Sequence, residues 1–142
     1  MPHPPIRWGL AAVATIFAEV TMIALSIACV AVYSYTIHTG ETQEFYNAFA
    51  QASAPWVSLL TGGPVFFLIG RWIRRRAPSA ALGTAMAMFG LYLAIEIIVF
   101  LLWPGDTSGA LPFMIGGAII KLAGAWLGAG GSAPRAVASR AI

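Results

Sequence analysis

AALGTAMAMFGLYLAIEIIVFLLW, residues 80–103, is the stretch that decides the fold of this chain. Its 24 residues include a single ionisable side chain, Glu96. A helix rises about 1.5 Å per residue, so this segment is long enough to cross a hydrocarbon layer of about 30 Å. The segment therefore predicts a transmembrane helix.

Three further apolar segments have the same character: residues 9–37, 56–73 and 111–129. Across the 142 residues, 59% are hydrophobic and only 9% are charged. A soluble protein of this composition would be covered with apolar surface, so the solvent around the folded chain has to be lipid. We predict an all-α integral membrane protein with a single membrane domain over residues 1–142. Its architecture is an antiparallel bundle of four transmembrane helices.

Charge outside the four segments is sorted by side. All seven arginines flank the segments on one predicted side: Arg7, Arg71, Arg74, Arg75, Arg76, Arg135 and Arg140. The acidic residues outside the segments lie in the two connections on the other side: Glu41, Glu44 and Asp106. Because basic flanks resist translocation, we expect both termini in the cytoplasm and the protein in a bacterial inner membrane.

The basic charge of the chain follows from this topology, so we do not expect nucleic-acid binding. The expected partners are the lipid bilayer itself and further copies of the chain or a larger membrane complex. Anionic lipid headgroups are expected to contact Arg74, Arg75 and Arg76, which lie in the connection between the second and third segments.

The connection between the first two segments allows two interpretations. Residues 39–54 are too polar to lie in lipid, yet Phe45, Tyr46 and Phe49 recur at helical spacing. We predict a short interfacial helix within residues 41–53. The alternative is that these residues extend the second helix into solvent.

Apart from Arg71 at the end of the second segment, three charged side chains lie inside the apolar segments: Glu19, Glu96 and Lys121. A charge at the middle of a bilayer costs about 2.5–3.5 kcal/mol on insertion scales, and it usually has a partner or a function. These residues are therefore the candidates for an ion or transport path. A buried Glu–Lys pair can also serve only to fix the register of two helices.

Helical spacing indicates which way these side chains face. Glu19 shares a stripe with Thr15 and Ser26 in the first segment, so that stripe is expected to face protein. Lys121 shares a face with glycines that allow another helix backbone to approach closely. These predicted packing residues are Gly117, Gly124 and Gly128.

Depth suggests how the charges pair. Glu19 and Lys121 are about 15 Å and 12 Å from the cytoplasmic side, and first and fourth helices are often neighbours. We therefore predict an ion pair between Glu19 and Lys121. Glu96 lies about 10 Å from the opposite edge, where an unpaired carboxyl is favoured in its neutral form and can carry a proton. Tyr92, four residues earlier, is expected to bring its hydroxyl near Glu96.

The second segment contains a predicted helix kink at Gly62, Gly63 and Pro64. Proline removes a backbone donor and clashes with the preceding turn, and the glycines permit a bend. Such an interruption can expose carbonyl groups to an ion or can simply adjust packing.

Enzyme chemistry has little support in the sequence. The chain has two histidines and one cysteine, so we predict no metal site, no cofactor and no catalytic residue. Two functional interpretations remain. The first is an oligomeric channel or proton-linked transporter whose path is lined by Glu19, Tyr92, Glu96 and Lys121. The second is a non-transporting accessory or assembly subunit that docks on a larger membrane complex through its glycine-rich helix faces.

Overall fold

The computed structural model describes residues 4–102 and 109–131 as four α-helices and one short 3₁₀ helix. The helices are α1 (Trp8–Thr36), α2 (Gln43–Arg76), α3 (Ala81–Leu102) and α4 (Leu111–Gly128), and the 3₁₀ helix (Pro78–Ala80) precedes α3. No strand occurs in the described ranges. All four helices are long and apolar enough to cross a membrane. The predicted flanking residues Trp103, Asp106, Arg135 and Arg140 lie outside the described residues.

The second helix is longer than predicted. Residues 43–76 form one continuous helix of 34 residues, which spans about 51 Å. The prediction of a separate short helix within residues 41–53 is therefore wrong, and the alternative of an extended second helix applies. Thr42 starts this extension as an N-cap, because its side chain accepts a hydrogen bond from the Phe45 amide at 3.3 Å.

Aromatic contacts hold the extension of α2 against the end of α1. The Tyr33 ring stacks on the Phe49 ring with centroids 3.7 Å apart and planes 5° apart. The Tyr46 hydroxyl donates to the His38 carbonyl oxygen at 2.6 Å. The aromatic residues at helical spacing therefore pack on α1 instead of forming the face of an independent surface helix.

Contacts between the helices define their directions. Tyr33 near the end of α1 meets Phe49 near the start of α2, so these two helices are antiparallel. Trp56 in the first half of α2 meets Phe113 near the start of α4, with ring centroids 4.9 Å apart, so α2 and α4 are parallel. One end of the bundle therefore carries the start of α1 and the end of α2. We call it the arginine end, after its residues Arg7, Arg71, Arg74, Arg75 and Arg76.

Packing in the bundle is centred on α2. This helix contacts all three of the others, whereas α1 and α4 do not pack against each other within the described residues. The core of the bundle contains many small side chains, so the helices can approach closely. Representative core residues are Ala11, Ala14, Ala18, Phe66, Ile69, Ile73, Ala85, Met88 and Ala125.

The glycine face of α4 packs on α2. Gly124 lies against the carbonyl of Gly63, and Gly128 lies against the carbonyl of Phe67. Gly70 of α2 has the reciprocal role, because a Cβ there would lie 2.6 Å from the Ala125 carbonyl oxygen. Gly117 is in looser contact, 3.9 Å from the Ser58 hydroxyl oxygen when a Cβ is added. The backbones of α2 and α4 are therefore in direct contact.

The predicted kink residues lie within this continuous helix. α2 continues through Pro64, whose ring is exposed, and the missing donor of Pro64 leaves the Leu60 carbonyl without its helical partner. Gly62 and Gly63 both face α4, where Lys121 and Ile120 lie against them. The two glycines thus provide space for α4, and a bend at this position stays a prediction.

Replacing Gly124 with alanine is expected to destabilise the protein by about 1–3 kcal/mol, the usual cost of overpacking a core. The added Cβ would overlap the Gly63 carbonyl, which is backbone and cannot yield without separating α2 from α4. Gly90→Ala in α3 is the matched control, because no heavy atom lies within 4 Å of its added Cβ. The free energy of unfolding of the purified protein in detergent measures both variants, and equal values would contradict the close packing of α2 on α4.

Candidate functional site

A network of three polar side chains lies inside the bundle. Lys121 of α4 is 1% exposed, and its ammonium group forms an ion pair with Glu96 of α3. The same Nζ donates to the Tyr92 hydroxyl oxygen at 3.2 Å, and the Tyr92 hydroxyl donates to Glu96 Oε1 at 2.9 Å. The three groups form a closed triangle in which each one contacts the other two.

Gly62 makes room for the side chain of Lys121. A Cβ at position 62 would lie 2.9 Å from Lys121 Cγ and 3.1 Å from its Cε. On the other side, Lys121 Nζ lies 4.7 Å from the centroid of the Tyr92 ring, which packs edge-on against Phe66 at 4.8 Å. Residues from α2, α3 and α4 thus enclose the amine.

The predicted ion pair between Glu19 and Lys121 is wrong. That prediction requires α1 and α4 to be neighbours, and α2 and α3 separate them instead. Lys121 therefore pairs with Glu96, the carboxyl group that the sequence analysis left unpaired. The predicted contact between Tyr92 and Glu96 is present at 2.9 Å.

The axial position of α4 explains why backbone depth misplaced Lys121. α4 ends at Gly128, which lies against Phe67, and α2 continues from there for about 13 Å to Arg76. Lys121 lies against Gly62, about 21 Å from the end of α2. Glu96 is about 22 Å along α3 from the arginine end, so the two side chains lie at the same level of the bundle.

Glu19 of α1 is the second carboxyl group inside the bundle, and it is not part of this hydrogen-bonded triangle. The side chain is half-buried, and its Oε1 is shielded from solvent with no hydrogen-bond partner among the described residues. Glu96 and Lys121 are both close enough to act on the Glu19 carboxyl electrostatically. A shielded carboxylate oxygen without a donor is costly, so this atom is an available acceptor.

The four side chains Glu19, Tyr92, Glu96 and Lys121, which we call the polar cluster, contain two carboxyl groups and one amine. With the amine and both carboxyls ionised, the polar cluster carries one net negative charge. The polar cluster therefore contains one carboxyl group more than its amine can neutralise.

Contacts on both sides of Glu19 fix α1 against its neighbours. The Thr15 hydroxyl, one turn before Glu19, donates to the Met88 carbonyl of α3 at 3.2 Å. The Met22 sulfur, in the turn after Glu19, lies 3.9 Å from the Thr61 hydroxyl of α2. The role of Phe66, which is fully buried against Tyr92, is not visible in the sequence, because no periodic pattern marks this residue.

An open groove with a volume of about 780 Å³ lies between α1 and α2, away from the arginine end. Its walls include Cys29, Tyr33, Phe49, Trp56 and Thr61. The lining is almost entirely apolar, so this open groove offers few hydrogen bonds to a polar solute. The ionisable groups of the polar cluster do not line it.

Within residues 4–102 and 109–131, no three His, Cys, Asp or Glu side chains are grouped so that they could hold a metal ion. No protein-family model matches this chain, and no curated protein or solved structure is significantly similar to it. The candidate site therefore rests on its own geometry.

Replacing Glu96 with glutamine is expected to destabilise the protein by about 3–5 kcal/mol, because Lys121 would remain buried without a counter-ion. Glu19→Gln is the matched control and should cost far less, since Glu19 Oε1 accepts no hydrogen bond. The double variant Glu96→Gln/Lys121→Met removes both charges and should recover most of the loss. Unfolding free energies in detergent give these values, and equal losses for the two single variants would disprove the pairing.

Gly62→Ala is expected to cost about 1–3 kcal/mol of unfolding free energy, because the new Cβ meets the Lys121 side chain. Gly116→Ala in α4 provides the comparison, since its Cβ would be at an ordinary 3.5 Å from Leu59 Cδ1. The cost at position 62 should largely disappear when Lys121 is also replaced by alanine. If the cost persists in that double variant, Gly62 does not act by accommodating Lys121.

Proposed function

We propose that this chain is an integral membrane protein whose four helices span the bilayer with both termini in the cytoplasm. Large apolar side chains on the outside of α1 support the membrane location, since Ile16, Phe17 and Ile23 are each more than half exposed. Such a surface is unfavourable in water and matches hydrocarbon. The arginine end supports the orientation, because basic flanks stay on the cytoplasmic side. The bacterial inner membrane is the proposed location.

Within that membrane, we propose a small proton-linked transporter or channel that uses intramembrane carboxyl groups. The observation that carries this proposal is the unpartnered Glu19 oxygen beside the ion-paired Lys121 and Glu96. Ionisable groups inside a membrane protein are costly and commonly mark an ion or proton path. The polar cluster has two carboxyl groups and one amine, so one carboxyl group has no positive charge to neutralise it. We therefore expect the polar cluster to bind a proton.

The four side chains have different proposed roles. Lys121 is the fixed positive charge, Glu96 is its counter-ion, and Tyr92 bonds to both. Glu19 is the proton carrier, because it is the carboxyl group that no donor in the described chain occupies. The sequence favours Glu96 as the proton carrier, because its carboxyl group is expected to be unpaired. Since Glu96 is paired with Lys121, we propose Glu19 as the proton carrier instead.

We further propose that copies of the chain associate, because four helices enclose little volume for a transported solute. The alternative of an accessory subunit that docks through glycine-rich faces has less support. Gly124 and Gly128 of α4 are already covered by α2 of the same chain. A docking partner would therefore have to use another surface.

Glu19→Gln is expected to lower proton flux at least about tenfold, because an amide cannot carry the proton that a carboxyl group transfers. The measurement is the pH change inside proteoliposomes after a pH jump, with a fluorescent pH indicator in the lumen. Glu44→Gln is the matched control, since Glu44 is an exposed carboxyl group near the start of α2. Its flux should stay within about twofold of that of the wild type.

Two results would contradict the proposal. Wild-type proteoliposomes whose proton flux equals that of empty liposomes would favour the non-transporting alternative. Full flux in Glu19→Gln would remove Glu19 from the path. Because Glu19 makes no hydrogen bond through Oε1, the variant should keep the helical content and detergent elution of the wild type, which separates loss of function from loss of fold.

A further inference from the structure

Arg7, just before α1, and Arg76, the last residue of α2, are in contact at the arginine end. Arg7 immediately precedes α1, and its Nη1 donates to the Arg76 carbonyl oxygen at the end of α2, at 3.4 Å. The backbone amide of Arg7 donates to the hydroxyl of Thr84 at 3.2 Å, and Thr84 is fully buried in α3. Contacts to both α2 and α3 therefore fix the position of Arg7.

The Arg76 side chain is positioned as well. Its guanidinium carbon lies 5.9 Å from the centroid of the Trp72 ring, within the range of a cation–π contact. Trp72 lies one turn earlier on α2 and packs against the core of the bundle. The two guanidinium groups are thus held near the junction of α1 and α2.

These positive charges have no carboxylate counter-ion among the described residues. Within the described residues, Glu96 pairs with Lys121, and Glu41 lies 3.9 Å from the His38 imidazole; neither carboxyl group is at the arginine end. The carbonyls at the end of α2 offset part of the charge, because a helix C-terminus is partially negative. A guanidinium group has five N–H donors, however, and Arg7 uses one of them on the Arg76 carbonyl. An external anion is the natural counter-charge.

An apolar groove adjoins the same place. It has a volume of about 340 Å³ and is lined by Val13, Phe17, Leu68, Ile69 and Trp72. The groove lies between α1 and α2 on the outer surface of the bundle. Trp72 lines it, and the Arg76 guanidinium lies over the Trp72 ring. The Arg76 guanidinium therefore lies beside one end of the groove, and Arg7 is bonded to the Arg76 carbonyl. An apolar groove next to fixed positive charge matches a molecule with a hydrocarbon chain and an anionic head.

We propose that Arg7 and Arg76 bind the phosphate group of an anionic phospholipid and that one of its acyl chains lies in the groove beside Trp72. Arginine is well suited to this ligand, because its planar donors match the oxygens of a phosphate. The groove distinguishes a lipid from a free anion, which would make no use of an apolar wall. This site extends the general basic surface expected at Arg74, Arg75 and Arg76 to a defined position that includes α1.

Native mass spectrometry of the full chain in detergent tests the site, with phosphatidylglycerol and phosphatidylcholine of identical acyl chains as probes. The wild type should retain phosphatidylglycerol about tenfold better than phosphatidylcholine, because charge-assisted bonds to phosphate are strong and the zwitterionic head offsets them. Arg7→Gln and Arg76→Gln should each remove most of this preference. Arg71→Gln is the matched control, since it removes the same charge from an exposed position of the same helix that is not among the residues expected to contact lipid headgroups, and it should keep the preference within about twofold of the wild type.

A second variant tests the groove. Val13 is exposed on α1 and lines the groove, so Val13→Phe should partly fill it without disturbing the core. Retention of both lipids should then fall while the preference for phosphatidylglycerol persists. Unchanged retention would overturn the assignment of the acyl chain.

Three outcomes would overturn the headgroup site. The first is equal retention of the two lipids by the wild type, a measurement that does not depend on the folding of any variant. The second is an equal loss in Arg71→Gln, which would indicate a diffuse charge effect instead of a site. The third is displacement of phosphatidylglycerol by millimolar inorganic phosphate, which would assign the arginines to a soluble anion.

Discussion

A buried ammonium group sets the strictest constraint on this bundle. Such a charge is tolerated where a counter-ion, a further acceptor and space for the side chain coincide. For Lys121 these are supplied by Glu96 and Tyr92 of α3 and by Gly62 of α2. Three helices therefore have to meet at one height, and the register of α2, α3 and α4 follows from that requirement.

The glycine contacts between α2 and α4 make the same arrangement possible. Hydrocarbon gives no hydrophobic drive for helices to associate, so close packing and polar bonds have to provide it. Gly63 against Gly124 and Phe67 against Gly128 bring two backbones together on the arginine-end side of Lys121. These backbone contacts prevent α4 from sliding along α2. They therefore hold the Lys121 amine at the level of Glu96 and Tyr92.

Charge divides the molecule into regions with separate proposed tasks. The interior has one carboxyl group more than amines, which suits a proton, and the arginine end has positive groups beside an apolar groove, which suits an anionic lipid. Different hydrogen bonds join α1 to α3 in the two regions. Thr15 of α1 donates to the Met88 carbonyl near the polar cluster, and Thr84 of α3 accepts from the Arg7 amide at the arginine end. The two proposals therefore depend on different side chains and can fail independently.

The sequence by itself determined the helices and the sorting of charge, because both depend on local composition. Apolar length predicts four helices, the i, i+4 spacing brings Tyr92 to Glu96, and glycine spacing identifies the face of α4 that another helix approaches. The partner of Lys121 and the length of α2 were decided only by tertiary structure. Which helix lies beside α4, and how far α4 reaches along α2, depend on packing between segments distant in the chain. Residue spacing predicts which side chains share one face of a helix. It does not predict which helix packs against that face.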